Sequence, residues 1–227
     1  MYLSRIELRS EQGTRSLIQN EYGVHQALWS LFADHADRRR DFIYRKHDTQ
    51  PLPVFYAVSK RPPKEDTRKW KVQTKTYAPH LQQGDVLEFS LRVNPVRTIK
   101  DANGRQKRVD VVMDEKYLQK QKQDDPASLA ERMRMAGLKW LDARAEKLGF
   151  EYSHDRLRVD GYCIQTFFKA KKNAKKNRIR FATLDFEGQI TVQDPQAMLN
   201  TLYYGIGPAK AFGCGLMLVR RARCSPD

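Results

Sequence analysis

The chain is short of negative charge, of cysteine and of long apolar runs, and each shortage narrows its function. Only 27 Asp and Glu stand against 42 Lys and Arg, which leaves a net charge of +15 on 227 residues. That excess is far beyond what solubility needs; it concentrates polyanions and gains free energy when their condensed counterions are released. Nucleic acid is therefore the leading partner class. An anionic membrane is the rival, but a peripheral membrane protein usually carries a basic amphipathic helix or a lipidation signal, and neither is present. The three cysteines, Cys163, Cys214 and Cys224, are odd in number and lack metal-ligand spacing, which fits a reducing compartment better than a disulfide framework. No run is long enough to span a bilayer, and the opening "MYLSRIELRS" alternates like a strand rather than a secretion signal. A soluble cytoplasmic protein with no membrane partner is expected. The sequence also has no phosphate loop of the G-x-x-x-x-G-K-[ST] type, no G-x-S-x-G elbow and no carboxylate or His-Cys cluster with ligand spacing. No metal and no cofactor are expected.

What is present reads as strands and helices in alternation. Residues 2–9 have strand periodicity, with Tyr2, Ile6 and Leu8 on one face. Residues 16–33 read as a helix whose stripe is Val24, Ala27, Leu28 and Leu31. "DFIYRKHD" and "LPVFYAVSK" are two β-rich runs, 61–83 holds either one poor helix or a loop, and 84–95 is a strand closed by Asn94-Pro95. The second half repeats the order. "RVDVVM" (108–113) is strand-like, 127–149 is a long helix ending at Gly149, and "RLRVDGYCIQTFF" and "RIRFATLDFEG" are strands around a lysine-rich loop. Asp194 caps a helix with Pro195 in its first turn and Gly205 after its last, and "GLMLVRR" closes as a strand. The chain spells βαββαβ twice. That predicts an α+β protein of two ferredoxin-like domains, the sheet type of RNA-recognition motifs, covering 1–94 and 95–227. The aromatic stacking motif of a standard RNA-recognition domain is absent from both copies, so base stacking on the sheet is not predicted.

Three constellations carry chemistry. On the opening helix, Tyr22, His25, Trp29 and Phe32 gather on a flank beside the core stripe. His25 is thus at the edge of the buried face, as either a satisfied structural histidine or a proton carrier, since an imidazole titrates near pH ~6.5. The loop "FFKAKKNAKKNRIR" crowds Lys169, Lys171, Lys172, Lys175, Lys176, Arg178 and Arg180 onto one hairpin tip, a phosphate-contacting finger or a solvated end. A lesser basic stretch offers Arg105, Lys107 and Arg108 around an Asn103-Gly104 turn. Finally, "GIGPAKAFGCGLM" places Gly205, Gly207, Gly213 and Gly215 around Lys210. Glycine permits positive φ and close approach to a phosphate, so this segment is either an RNA-backbone cradle or a tight helix-to-strand connection.

Taken together, "MYLSRIEL", the Y-x-x-H-x-x-L-W-x-L-F helix, "LEFSLRVNPVRTIK", "LDFEGQITVQDP" and above all "GIGPAKAFGCGLM" resemble the CRISPR RNA-processing endoribonucleases of type I-E systems, the CasE family. The likeness runs through both halves in order. It implies a tandem ferredoxin-like enzyme that binds the CRISPR repeat stem-loop and cuts precursor RNA without a metal, by 2′-hydroxyl attack, leaving a cyclic phosphate and a 5′-hydroxyl. It further implies that the enzyme keeps its product and joins the other subunits of a surveillance complex. By position in the helix motif, His25 is the general acid or base and Tyr22 its helper. Lys169, Lys171, Lys172, Lys175, Lys176, Arg178, Arg105, Lys107, Arg108, Gly207, Lys210, Gly213 and Gly215 are the expected RNA contacts. The competing expectation is a subunit that holds an RNA hairpin and does no chemistry.

Overall fold

The computed structural model describes residues 1–9, 21–33, 39–47, 52–64, 69–121, 129–169 and 177–222. The first half is built on strands β1 (Tyr2–Leu8), β2 (Phe42–His47), β3 (Val54–Ser59) and β4 (Trp70–Thr76), with helix α1 (Glu21–Phe32) crossing one face. The sheet order is β2-β3-β1-β4 and every pairing is antiparallel. This is the ferredoxin-like order. Alternation decides which face is covered: Ile6 and Leu8 of β1, Phe42 and Tyr44 of β2 and Phe55 of β3 form one core with Val24, Leu28, Leu31 and Phe32 of α1. Phe32 stacks on Phe42 with ring centroids 4.1 Å apart. It therefore belongs to the core rather than to the flank where the wheel placed it.

The second half contains β5 (Val86–Val93), a two-stranded hairpin of β6 (Val96–Lys100) and β7 (Gln106–Asp110), and helices α2 (Val111–Gln121) and α3 (Leu129–Leu148). It continues through β8 (Phe150–Glu151), β9 (Leu157–Lys169), β10 (Asn177–Val192), α4 (Pro195–Tyr204) and β11 (Met217–Arg221). The sheet runs β11-β5-β10-β8, with β9 also paired to β10. Counting β8 and β9 as one interrupted edge strand, this is the same order as the first sheet. Leu87, Phe89, Leu91 and Val93 all point to the helix side and are at most 4% exposed. They meet Leu138, Trp140 and Leu141 of α3 and Met198 and Leu202 of α4. Each such burial contributes roughly 1.5–3 kcal/mol. The caps fall where the sequence put them: Asp194 Oδ1 accepts from the backbone N–H of Gln196 at 2.9 Å and of Ala197 at 3.0 Å.

Three expectations need correction. The segment 61–83 holds strand β4 rather than a poor helix or a loop. "WKVQTKT" alternates weakly, and as an edge strand it needs only Trp70 buried, at 3% exposure. Next, "RVDVVM" is not one strand. Asp110 ends β7, and its Oδ1 takes the N–H groups of Val112 at 2.9 Å and Met113 at 3.0 Å, which makes it the N-cap of α2. Last, β5 belongs to the second sheet, between β10 and β11. The change of sheet therefore lies at 77–85, not at Asn94-Pro95. That connection is pinned to the second half: Tyr203 donates its hydroxyl proton to the Tyr77 carbonyl at 2.9 Å, and burial pushes the Tyr77 phenol up to about 12.

Gly149 ends α3 with φ +86°, and a Cβ there would stand 2.5 Å from the Asp194 carbonyl oxygen and the Met198 nitrogen. Left-handed strain and overpacking act together at this position. In urea unfolding, Gly149→Ala is expected to lose about 2–4 kcal/mol, against about 1 kcal/mol for Asp194→Ala. Equal losses would mean that the two helices are not in register at Gly149.

Candidate active site and nucleic-acid interface

His25 is half-buried on α1, and the helix alone does not hold it. Its ring lies 6.0 Å from Trp29 and 6.4 Å from Tyr22 on its own helix, and 5.6 Å from Phe212 of the second half. Nδ1 is buried. The ring also lines an open cleft of about 590 Å³ with Tyr22, Gln26, Trp29, Ser30 and Ala33. One edge is thus enclosed by protein while the residue still lines a cleft open to solvent. Tyr22, on the same cleft, accepts a hydrogen bond from Gln26 Nε2 at 3.4 Å and keeps its own phenolic proton to donate.

Phe212 reaches His25 because of the glycine-rich segment. Lys210–Phe212 is a single 3₁₀ turn, flanked by Ala209 at φ 58° and Gly213 at φ 79°, both left-handed. Gly215 lets the segment fold back on itself: the Ile206 N–H donates to the Gly215 carbonyl at 2.9 Å, and a Cβ on Gly215 would stand 2.5 Å from the Ile206 oxygen. The segment is therefore a tight connection that presents one aromatic ring and one cation. Phe212 packs on Phe167 of β9 at 5.0 Å and on Phe181 of β10 at 5.6 Å, so the root of the basic hairpin and the histidine helix share a contact. Lys210 is half-buried. Burial first, and the nearby Arg40 guanidinium second, hold its ammonium below the ordinary lysine range.

The basic residues divide by location. Arg105, Lys107 and Arg108 are exposed on the β6–β7 hairpin, whose tip is tied by Asp101 Oδ1 accepting from the N–H groups of Asn103 and Arg105. Arg108 lines a cleft of about 420 Å³ with Arg180, Tyr162, Phe181 and Pro208. This brings the lesser basic stretch, the root of the basic hairpin and the glycine-rich segment together. Arg178 is exposed near the start of β10, and Lys169 ends β9 paired with Asn177. Lys171, Lys172, Lys175 and Lys176 lie outside the described residues. Gly207 is exposed over Trp140, and Gly213 is buried against Tyr44, so Gly213 serves packing.

Sequence reasoning passed over Phe212 and Arg40. Phe212 is the one aromatic within the glycine-rich run 205–217, and that isolation was the available signal. Arg40 gave none, because its neighbour Lys210 is far away in sequence. A second histidine cluster also forms: His154 Nε2 lies 2.9 Å from Asp142 Oδ1, which also accepts from the Tyr152 hydroxyl at 2.6 Å. Its cleft is lined by Asp142, Glu146 and Glu151, a negative surround that repels a phosphate.

The family model described as CRISPR associated protein matches residues 1–221. The Cascade subunit CasE of Escherichia coli K12 is 30% identical over 219 residues, covering 96% of this chain and 98% of that one. The CRISPR-associated endoribonuclease Cse3 of Thermus thermophilus is 24% identical over 237 residues, covering 96% and 99%. A solved structure of the CRISPR endoribonuclease Cse3 bound to a 19-nucleotide RNA superposes with a TM-score of 0.72 at 24% identity, over 97% of this chain and all of that one. The fold is thus tandem ferredoxin-like, and the chain belongs to the CasE family of CRISPR-associated proteins.

Proposed function

We propose that this chain is an endoribonuclease that binds the stem-loop of a CRISPR repeat and cuts the precursor RNA beside the stem. The single observation that carries the reading is the placement of His25, which faces an open cleft while Phe212 braces it from the other half of the chain. In this reading the stem lies along Arg105, Lys107, Arg108, Arg178 and the lysines of the hairpin, with Lys169, Lys171, Lys172, Lys175 and Lys176 supplying phosphate contacts. The two clefts are joined through Phe181 and Phe212, which brings the end of a stem held there toward His25. Gly207 and Lys210 shape and charge the surface between them, while the buried Gly213 and Gly215 hold the turn that presents Lys210.

The chemistry follows from that placement. The 2′-hydroxyl next to the scissile bond attacks phosphorus in line with the leaving 5′-oxygen; its proton leaves, the P–O5′ bond breaks, and a 2′,3′-cyclic phosphate and a 5′-hydroxyl result. A stem held rigidly supplies the alignment. His25 carries a proton for the attacking or the leaving oxygen, a role worth about 10²–10⁴-fold in rate, and Tyr22 donates to a phosphate oxygen. Lys210, with Arg40 beside it, offsets the charge that builds on the phosphorane. No step is assigned to a metal. After cleavage the enzyme keeps the stem-loop product and joins the other subunits of a type I-E surveillance complex in the cytoplasm, a reading supported by its Escherichia coli relative being a Cascade subunit.

Two experiments test the catalytic reading. His25→Ala is expected to slow cleavage of a repeat RNA by at least 10²-fold, with RNA affinity within a few-fold of wild type; full activity in this variant removes the assignment. Cleavage is expected to persist in EDTA and to vanish on a substrate with one 2′-deoxyribose at the cut, although that substrate still binds. A cut deoxy substrate would mean a different nucleophile. For the hairpin, replacing Lys171, Lys172, Lys175 and Lys176 with Ala is expected to weaken binding and to flatten its salt dependence by up to about four units of slope.

A further inference from the structure

The helix-free faces of the two sheets turn toward one another, and a cleft of about 600 Å³ remains between them. On the first sheet, register places Ile43, Val58, Leu3 and Lys75 in one row and Arg45, Tyr56, Arg5 and Gln73 in the next. Ile43 and Val58 meet Leu216 of the second half and close one end of the gap. Arg45 is left at its base. It is only 6% exposed, and its Nη1 is buried with no hydrogen-bond partner among the described residues.

The acids whose fields act on Arg45, Asp185 and Glu187, are engaged elsewhere, and Asp85 of the cleft lining accepts from the Gln82 N–H at 2.9 Å. Arg92 makes two hydrogen bonds to Asp185, both at 2.8 Å. Glu187 accepts from Ser90 at 3.2 Å and pairs with Arg158 at 2.9 Å, and Glu88 is held by Arg220. Burial first lowers the Arg45 pKa; the field of Asp185 raises it, that of Arg92 lowers it, and those of Glu187 and Cys214 raise it. A buried donor without an acceptor calls for a ligand or a specific cost, and a guanidinium fork matches phosphate geometry. What flanks it points the same way. Tyr56 is the cross-strand neighbour of Arg45, and the His47 ring stands edge-on to it at 6.5 Å. Lys75 and Arg221 add cations at the rim. Cations interleaved with ring surface are the ordinary composition of a site for unpaired nucleotides.

We propose that this inter-sheet cleft is a second, nucleotide-binding site, in which Arg45 holds a phosphate group and Tyr56 and His47 offer ring surface to a base. It is separate from the cleft of His25 and does not rest on the stem-loop reading. The phosphate has two possible sources, a single-stranded RNA segment or a free nucleoside monophosphate, and the test separates them. Wild type, Arg45→Met and Tyr56→Leu are titrated at about 150 mM salt with AMP, with an unstructured RNA of about ten nucleotides and with a hairpin RNA. Wild type is expected to bind the unstructured RNA, AMP or both. Arg45→Met is expected to weaken that binding at least tenfold and Tyr56→Leu several-fold, with hairpin affinity within twofold in all three proteins.

Binding of RNA alone identifies a strand as the occupant; comparable binding of AMP identifies a mononucleotide. Arg45→Met removes a buried charge while keeping the apolar stem, so it is expected to fold at least as well as wild type. Should it not, Tyr56→Leu carries the same test, and loss of the AMP or RNA thermal shift is the readout. Absence of binding by either ligand, or undiminished binding in both variants, overturns the proposal. Loss of assembly with partner subunits in Arg45→Met, without any nucleotide effect, also overturns it and gives the cleft to a protein segment. None of these readouts involves cleavage, so the site fails or stands apart from His25.

Discussion

One aromatic contact joins the two halves of this chain at the place where chemistry is proposed. Phe212 extends from a turn between the last helix and the last strand and packs on His25, on Phe167 and on Phe181. Those partners belong to the first domain's helix, to β9 and to β10. A half-buried imidazole on a single helix would have the freedom of its own side-chain rotamers. With Phe212 against it, its orientation depends on how the second domain is folded. The left-handed residues on either side of the turn, Ala209 and Gly213, exist to make that projection sharp enough.

The same turn places Lys210 near Arg40, so two cations from distant parts of the sequence approach each other beside the histidine helix. Like charges held together in a partly buried place destabilise the free protein and are relieved when an anion arrives. Elsewhere the second sheet keeps its acids occupied, with Asp185, Glu187 and Glu88 each bonded to an arginine. The charge excess is therefore not cancelled evenly. Arg105, Lys107, Arg108 and Arg178 stand exposed, where a phosphate backbone can reach them.

Much of this was legible from periodicity, because β5, α4 and the β9–β10 pair carry strong local signals: strict alternation, an Asp-Pro start and a Gly stop. The failures share a physical cause. β4 is an edge strand with one buried residue, so it hardly alternates. Asp110 reads as an acid within the strand-like run 108–113 until its carboxylate is seen capping α2. The boundary was expected at Asn94-Pro95 because that pair follows β5, and a local stop signal does not say which sheet a strand joins. At the site, the helical wheel gave His25 and Tyr22, and family likeness gave them roles. Phe212 and Arg40 stayed hidden because contacts across nearly two hundred residues leave no spacing to read.

The two faces of the tandem sheets also bear differently on function. The helical side has its polar groups arranged around clefts that open to solvent, so a large folded ligand can dock there without disturbing the core. The inter-sheet side is closed at one end by Ile43, Val58 and Leu216. Keeping Arg45 at its base costs desolvation that an apolar residue of the same volume would avoid. A packing role alone gives no account of that charge, whereas a phosphate entering the gap supplies the acceptor that the buried Nη1 lacks among the described residues.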